Sequence, residues 1–157
     1  MVEIRNKWKN RIVEEDKLFN ENVLKIIENL HGKIFKVERH YKVANLETDI
    51  ILLCKRIRGY KSVGIELKVS DTLKAIEQAI ARRKYFNYFY IVSDVYNPYS
   101  YLGYEIEYLF KYQALDKLKE YYIGWIISNF EGQAYLIFPS FYFNAGFRNT
   151  LYKFMEE

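Results

Sequence analysis

The sequence predicts an α/β fold, a mixed central sheet flanked by helices, and three observations carry that expectation. Segments with apolar residues at helical spacing alternate along the chain with short runs of β-formers. Two of those runs, Thr48-Asp49-Ile50-Ile51-Leu52-Leu53 and Val63-Gly64-Ile65-Glu66-Leu67-Lys68-Val69, are apolar yet carry ionisable residues where packing alone would not place them. The length of 157 residues, 50% of them hydrophobic, suits one compact domain over residues 1–157 whose core needs no disulfide support.

Residues 13–30 predict the first helix, because Phe19, Val23, Ile26, Ile27 and Leu30 recur at helical spacing. Glu14, Glu15 and Asp16 suit its positive N-terminal end, and Gly32 suits its stop, with His31 read as a cation at the C-terminus. Residues 33–41 alternate well enough around Ile34, Val37 and Arg39 for a strand. The two apolar strands follow, with Arg58-Gly59-Tyr60-Lys61 as the turn region between them. Residues 71–87 predict a second helix capped by Ser70 or Asp71, and the β-former run Tyr88-Phe89-Tyr90-Ile91-Val92-Ser93 a buried strand. Residues 99–120 are expected to be helical, 122–128 and 133–138 to form a hairpin around Glu131-Gly132, and 147–155 to end the chain in a short helix. The order is αβββαβ, then α, ββ and α.

Composition narrows the function classes. The formal net charge of +4 and pI near 8.9 suit a nucleic-acid partner without demanding one. Sixteen tyrosines favour packing or self-association over base stacking. The single cysteine, Cys54, excludes a disulfide scaffold and reads as a small buried hydrophobe in a reducing interior. The basic N-terminal stretch has no apolar segment behind it, so neither a signal peptide nor a membrane span is expected, and an intracellular, cytoplasmic location is. Two histidines and one cysteine cannot build a zinc site of the usual kind. No glycine-rich phosphate loop is present, so no nucleotide cofactor is expected.

The chemistry lies in the two apolar strands. Glu66 and Lys68 are two residues apart and project from one strand face, while Ile65, Leu67 and Val69 fill the other. If the strands are neighbours, Asp49 joins them, and two carboxylates and an ammonium converge at one sheet end. Such a set suits a divalent cation and a water held against a phosphodiester. Singly, Asp49 reads as a strand-capping residue, and Glu66 with Lys68 as a surface pair. As a set on a central strand they are costly unless paired or metal-bound. On the second helix, Leu73, Ile76 and Ile80 make one face, and Ala75, Gln78, Ala79, Arg82 and Tyr85 another. The small alanines would let Gln78 approach the water or a phosphate. Arg82, Arg83, Lys84 and the N-terminal arm with Trp8 are candidate phosphate contacts. Glu47 shares the side of Asp49 and reads as a solvated residue at the strand mouth, and His40 ends a strand near the site edge.

Thr48-Asp49-Ile50, Ile65-Glu66-Leu67-Lys68 and Gln78-Ala79, in that order on strand, strand and helix, resemble the motifs of the PD-(D/E)xK nuclease superfamily. That superfamily includes restriction endonucleases and archaeal Holliday-junction resolvases. Glu28-Asn29-Leu30-His31-Gly32 feeding into Val37-Glu38-Arg39 is similar to the resolvases' helix-to-strand passage, and Ile123-Gly124-Trp125-Ile126-Ile127 to a strand in relatives of unassigned substrate. The resemblance is detailed over residues 13–94. It implies a restriction endonuclease-like αβββαβ core with an added C-terminal hairpin and helices. The implied activity is that of a Mg²⁺-dependent deoxyribonuclease, with Mn²⁺ as substitute. Asp49, Glu66 and the Leu67 carbonyl would be metal ligands, Lys68 would orient the attacking water, Gln78 would support it, and DNA would be the partner. The alternatives are a dormant nuclease-fold module for DNA binding or assembly, and a junction resolvase. A homodimer would supply the two sites that cutting both strands requires. Two departures stand out. The glutamate that many members carry on the first helix falls here on Asn20 or Glu21; Glu21 lies opposite the apolar face, and Glu15 and Asp16 come a turn or more too early. Thr48 replaces an expected proline.

Overall fold

Apolar alternation becomes a single mixed sheet in the computed structural model, which describes residues 15–69, 72–94 and 114–144. Helix α1 (Glu21–His31) leads into strands β1 (Lys33–Val43), β2 (Leu46–Arg56) and β3 (Gly59–Lys68), an antiparallel meander. Helix α2 (Thr72–Arg82) then carries the chain to β4 (Tyr88–Asp94), which lies parallel to β3. After α3 (Ala114–Glu120), β5 (Ile123–Ser128) runs parallel to β4, and β6 (Ala134–Phe138) turns back antiparallel on β5. Spatial order follows chain order.

Both faces of the middle strands are covered, which is why β2 and β3 read as nearly continuous apolar runs. On one face Ile50, Leu52, Cys54, Val63, Ile65 and Leu67 pack against Val23 and Ile27 of α1. On the other, Ile51, Leu53, Phe89, Ile91 and Trp125 pack against Ala75, Ile76 and Ala79 of α2 and Leu118 of α3. Gly64 belongs to this second face. A Cβ there would lie 2.6 Å from ring carbons of Phe89, so the absent side chain is what admits the ring.

Three boundaries differ from expectation. The first helix is not continuous over 13–30, because the chain turns at residues 18–19 and restarts. Asn20 accepts the N–H groups of Asn22 (3.0 Å) and Val23 (3.1 Å), the bonds that a helix N-cap makes. The second helix stops at Arg82 and tightens into a 3₁₀ turn at Arg83–Tyr85. Strand β1 runs on to Val43, and the β1–β2 turn is Ala44-Asn45 with φ of 51° and 67°, the left-handed pair that matches strand twist in a tight hairpin. The expected hairpin at 122–138 forms, with Gly132 at φ 89°. Most of the expected helix 99–120, the helix 147–155 and the Trp8 arm lie outside the described residues. Among the described residues no helix is long and apolar enough to cross a membrane.

Candidate functional site

The β2–β3 register brings the two carboxylates together. Its last paired residues at this end are Ile50 and Ile65, so Asp49 and Glu66 stand opposite each other one step further on. Their parity puts both on the α2 face, since Ile51 and Leu53 of β2 pack there. Lys68 follows two residues after Glu66, in register with Ser93 of β4, and is partly exposed. Ser93 accepts the Trp125 indole N–H at 2.8 Å, which fastens this corner of the sheet.

Glu66 is only 3% exposed. Burial pushes its carboxyl well above the usual range, and the neighbouring Asp49 charge pushes it further, while Arg82 and Lys68 partly offset both. Asp49 is raised more modestly by burial; it accepts the Leu67 N–H at 2.9 Å, which favours its ionised form. Of the two facing carboxyl groups, Glu66 is the one whose protonated form burial and its neighbour's charge favour more strongly. Arg82 Nε lies 3.2 Å from Glu66 Oε1, but its N–H donates to the Glu47 carbonyl at 2.8 Å. Glu66 Oε1 is therefore buried with a cation beside it and no hydrogen bond to it. A buried acceptor without a donor invites a ligand.

The donor set fits a hard divalent cation. Two carboxylates would supply oxygen ligands, and among the described residues no third His, Cys, Asp or Glu joins them, so most of the coordination would fall to water, as Mg²⁺ prefers. The first-helix position supplies no acid: Asn20 caps α1 and donates to Ser128 Oγ at 2.9 Å, and Glu21 is exposed.

Helix α2 delivers Arg82 to the carboxylates through the stripe of Ala75 and Ala79, both fully buried. Gln78 is partly exposed one turn earlier, and its backbone carbonyl accepts from Arg82 Nη1 at 2.9 Å. Arg83 corrects the expectation of a phosphate contact. It is 3% exposed, and its guanidinium donates to the carbonyls of Tyr121, Phe86, Asn87 and Phe141. The 3₁₀ turn rotates it inward, where it ties α2 to the segment after β6. Lys84 remains exposed, its ammonium 5.2 Å from the Tyr85 ring centroid.

Sequence reasoning underrated two neighbours. His40 occupies the register position opposite Asp49 on β1, between the pairs Arg39–Ile50 and Tyr41–Thr48, with φ at 53°. A left-handed non-glycine residue inside a strand is a strained conformation that clusters at functional sites. Its ring lies 3.4 Å from Asp16 Oδ1 and 4.0 Å from Glu47 Oε2. Asp16 also meets Arg39 at 3.6 Å, so an acid before α1 does reach the sheet edge, two strands from Glu66. His31 is likewise corrected: it is a buried neutral ring and not a terminal cation. Burial and the Arg56 charge lower it to about 4. Tyr90 Oη accepts the Ser140 N–H and lies 2.5 Å from His31 Nε2, within hydrogen-bond reach of the imidazole. Cys54 is buried, as expected, and its thiol is pushed up to about 12.

No protein-family model matches the chain, and no curated protein matches it. Among solved structures the chain is similar to Pyrococcus furiosus SfsA in complex with Ca²⁺, at 16% identity and a TM-score of 0.41. That similarity covers 81% of this chain and 63% of the SfsA chain, less than two thirds of its length.

Proposed function

We propose that the chain is a metal-dependent endonuclease of the PD-(D/E)xK kind, hydrolysing phosphodiester bonds in DNA. The observation that carries the reading is the cross-strand pair of partly exposed Asp49 and buried Glu66, with Glu66 Oε1 lacking a hydrogen-bond donor. A carboxyl group whose proton affinity is lifted by burial and by a facing carboxylate is a poor structural choice and a good cation trap. Asp49 and Glu66, with the Leu67 carbonyl, would hold Mg²⁺ or Mn²⁺. A cation bound there would acidify a water and polarise a phosphoryl oxygen. Lys68 orients that water and offsets charge that grows on the phosphate. Gln78 holds the same water or a phosphate oxygen. Arg82 balances Glu66 and stands ready for the scissile phosphate.

Plasmid nicking with Mg²⁺ or Mn²⁺, together with calorimetric Mn²⁺ titration, tests the reading. Asp49→Ala is expected to lose both cation binding and cleavage. Lys68→Ala is expected to bind Mn²⁺ as wild type does while cutting ~100-fold or more slowly, the usual worth of a positioned proton-transfer group. Equal cutting by all three proteins would remove catalysis from this site. Mn²⁺ binding without cutting by wild type would favour the dormant-module reading.

A further inference from the structure

The end of the β2–β3 hairpin away from the carboxylates has the opposite character. From Ile50 to Ile65 the sequence holds Lys55, Arg56, Arg58 and Lys61 and no acid, and Lys33 of β1 adds to them. Together these cations outnumber the chain's formal net charge of +4. Lys33 stands directly opposite Lys55 in the β1–β2 register. Like charges so paired repel, and an anion between them would relieve that repulsion. Among the described residues none of Lys33, Lys55, Arg58 or Lys61 is in an ion pair. Glu28, an acid approaching from α1, accepts the Ile34 N–H at 3.1 Å.

Aromatic rings are interleaved with these charges. Lys55 Nζ lies 5.6 Å from the Tyr60 ring centroid, and Phe35, 58% exposed, meets Tyr60 edge-on at 5.4 Å. On the opposite face Lys61 Nζ lies 4.9 Å from the ring of Tyr142, which is itself exposed. Cations that track a phosphate backbone beside open aromatic faces are what sequence-tolerant binding of unpaired bases requires. A duplex keeps its bases stacked and cannot use the rings. From Asp49 to Lys55 along β2 is about 20 Å at ~3.3 Å per residue, so this surface is separate from the carboxylate pair.

We infer that the β2–β3 hairpin end, with Phe35 and Tyr60, is a binding surface for single-stranded nucleic acid. The inference does not depend on cleavage. It is tested in EDTA on an Asp49→Asn background by fluorescence anisotropy with a labelled oligothymidylate of about 16 nucleotides. Binding is expected to fall steeply with salt. The double variant Lys55→Glu, Arg58→Glu, both at exposed positions, is expected to bind at least tenfold more weakly, with the salt slope shallower by about 1.4. Phe35→Ser is expected to weaken binding about fivefold or more at unchanged slope. Circular dichroism melts confirm folding, and Arg58→Ala at the turn repeats the reading if the double reversal disturbs it. Unchanged affinity in these variants, no binding by the parent protein, or equal affinity for a duplex of the same length would overturn the proposal. None of those outcomes bears on nicking by the wild type, which the Asp49 and Lys68 variants decide separately.

Discussion

Glu66 is held in a state that disfavours its charge, and this has a measurable cost. Its folded-state proton affinity is raised by burial and by Asp49. A carboxyl raised in this way contributes stability that is fully present below its unfolded value of 4.5 and is lost as pH climbs toward the folded one. Without metal, the protein is therefore expected to lose stability between about pH 5 and 9 through this one group. Glu66→Gln keeps the shape and removes the titration, so its advantage over wild type in chelator is expected to grow by on the order of 1–3 kcal/mol across that range. Urea denaturation at both ends checks it, and an advantage that does not change with pH would show that the charge is not buried. With Mn²⁺ added, wild type is expected to gain stability by mass action and Glu66→Gln to gain little.

At the scale of elements, the strands were the legible part and the helix ends were not. Ile50 to Leu53 and Val63 to Leu67 announce central strands because burial on both faces forces apolar residues at every position. The pairing of Asp49 with Glu66 follows once those strands are neighbours, and so did its recognition. The break before α1 was hidden because Phe19, Val23 and Ile27 continue one apolar rhythm across it, all three being buried. Only the short polar Asn20 marks the restart. Arg83 was misjudged for a similar reason: one residue past the end of α2, a change from α to 3₁₀ pitch decides whether a cation faces solvent or core. The tie of Arg82 to Glu66 was out of reach, since spacing shows a shared face but not the reach of a side chain. Asn20 can be tested directly. Asn20→Ala removes the cap acceptor and the bond to Ser128 Oγ, and is expected to cost about 1–2 kcal/mol in denaturant unfolding. Asn20→Asp keeps the acceptor at the helix's positive end and is expected to recover part of it. If alanine and aspartate lose equally, the cap is not what holds α1.

Across the whole molecule, the antiparallel meander and the parallel extension divide the labour. Parallel pairing of β3, β4 and β5 puts Lys68, Ser93 and Ile127 at one sheet end, where the carboxylates lie. The opposite end is closed by the segment after β6, whose Ser140 and Phe143 bond back to Phe89, Tyr90 and Asn87. His31 is part of this closure, since its Nε2 lies 2.5 Å from the Tyr90 hydroxyl that receives the Ser140 N–H. Burial and the Arg56 charge favour the neutral ring there. Its proton affinity is lowered from 6.5 to about 4, so its contribution is complete above pH 6.5 and is lost as pH falls toward about 4. Between pH 6.5 and 5 the loss is expected to be about 2 kcal/mol, at ~1.36 kcal/mol per unit. Glu66 works in the opposite sense over part of that window, so the effect is read as a difference between wild type and His31→Gln. That difference is expected to shrink as pH drops from 7 to 5, because only the wild type's unfolded chain gains an imidazole proton that the folded protein resists. A difference that stays constant over the range would mean that His31 titrates in the folded protein as freely as in the unfolded chain, and would remove it from the closure.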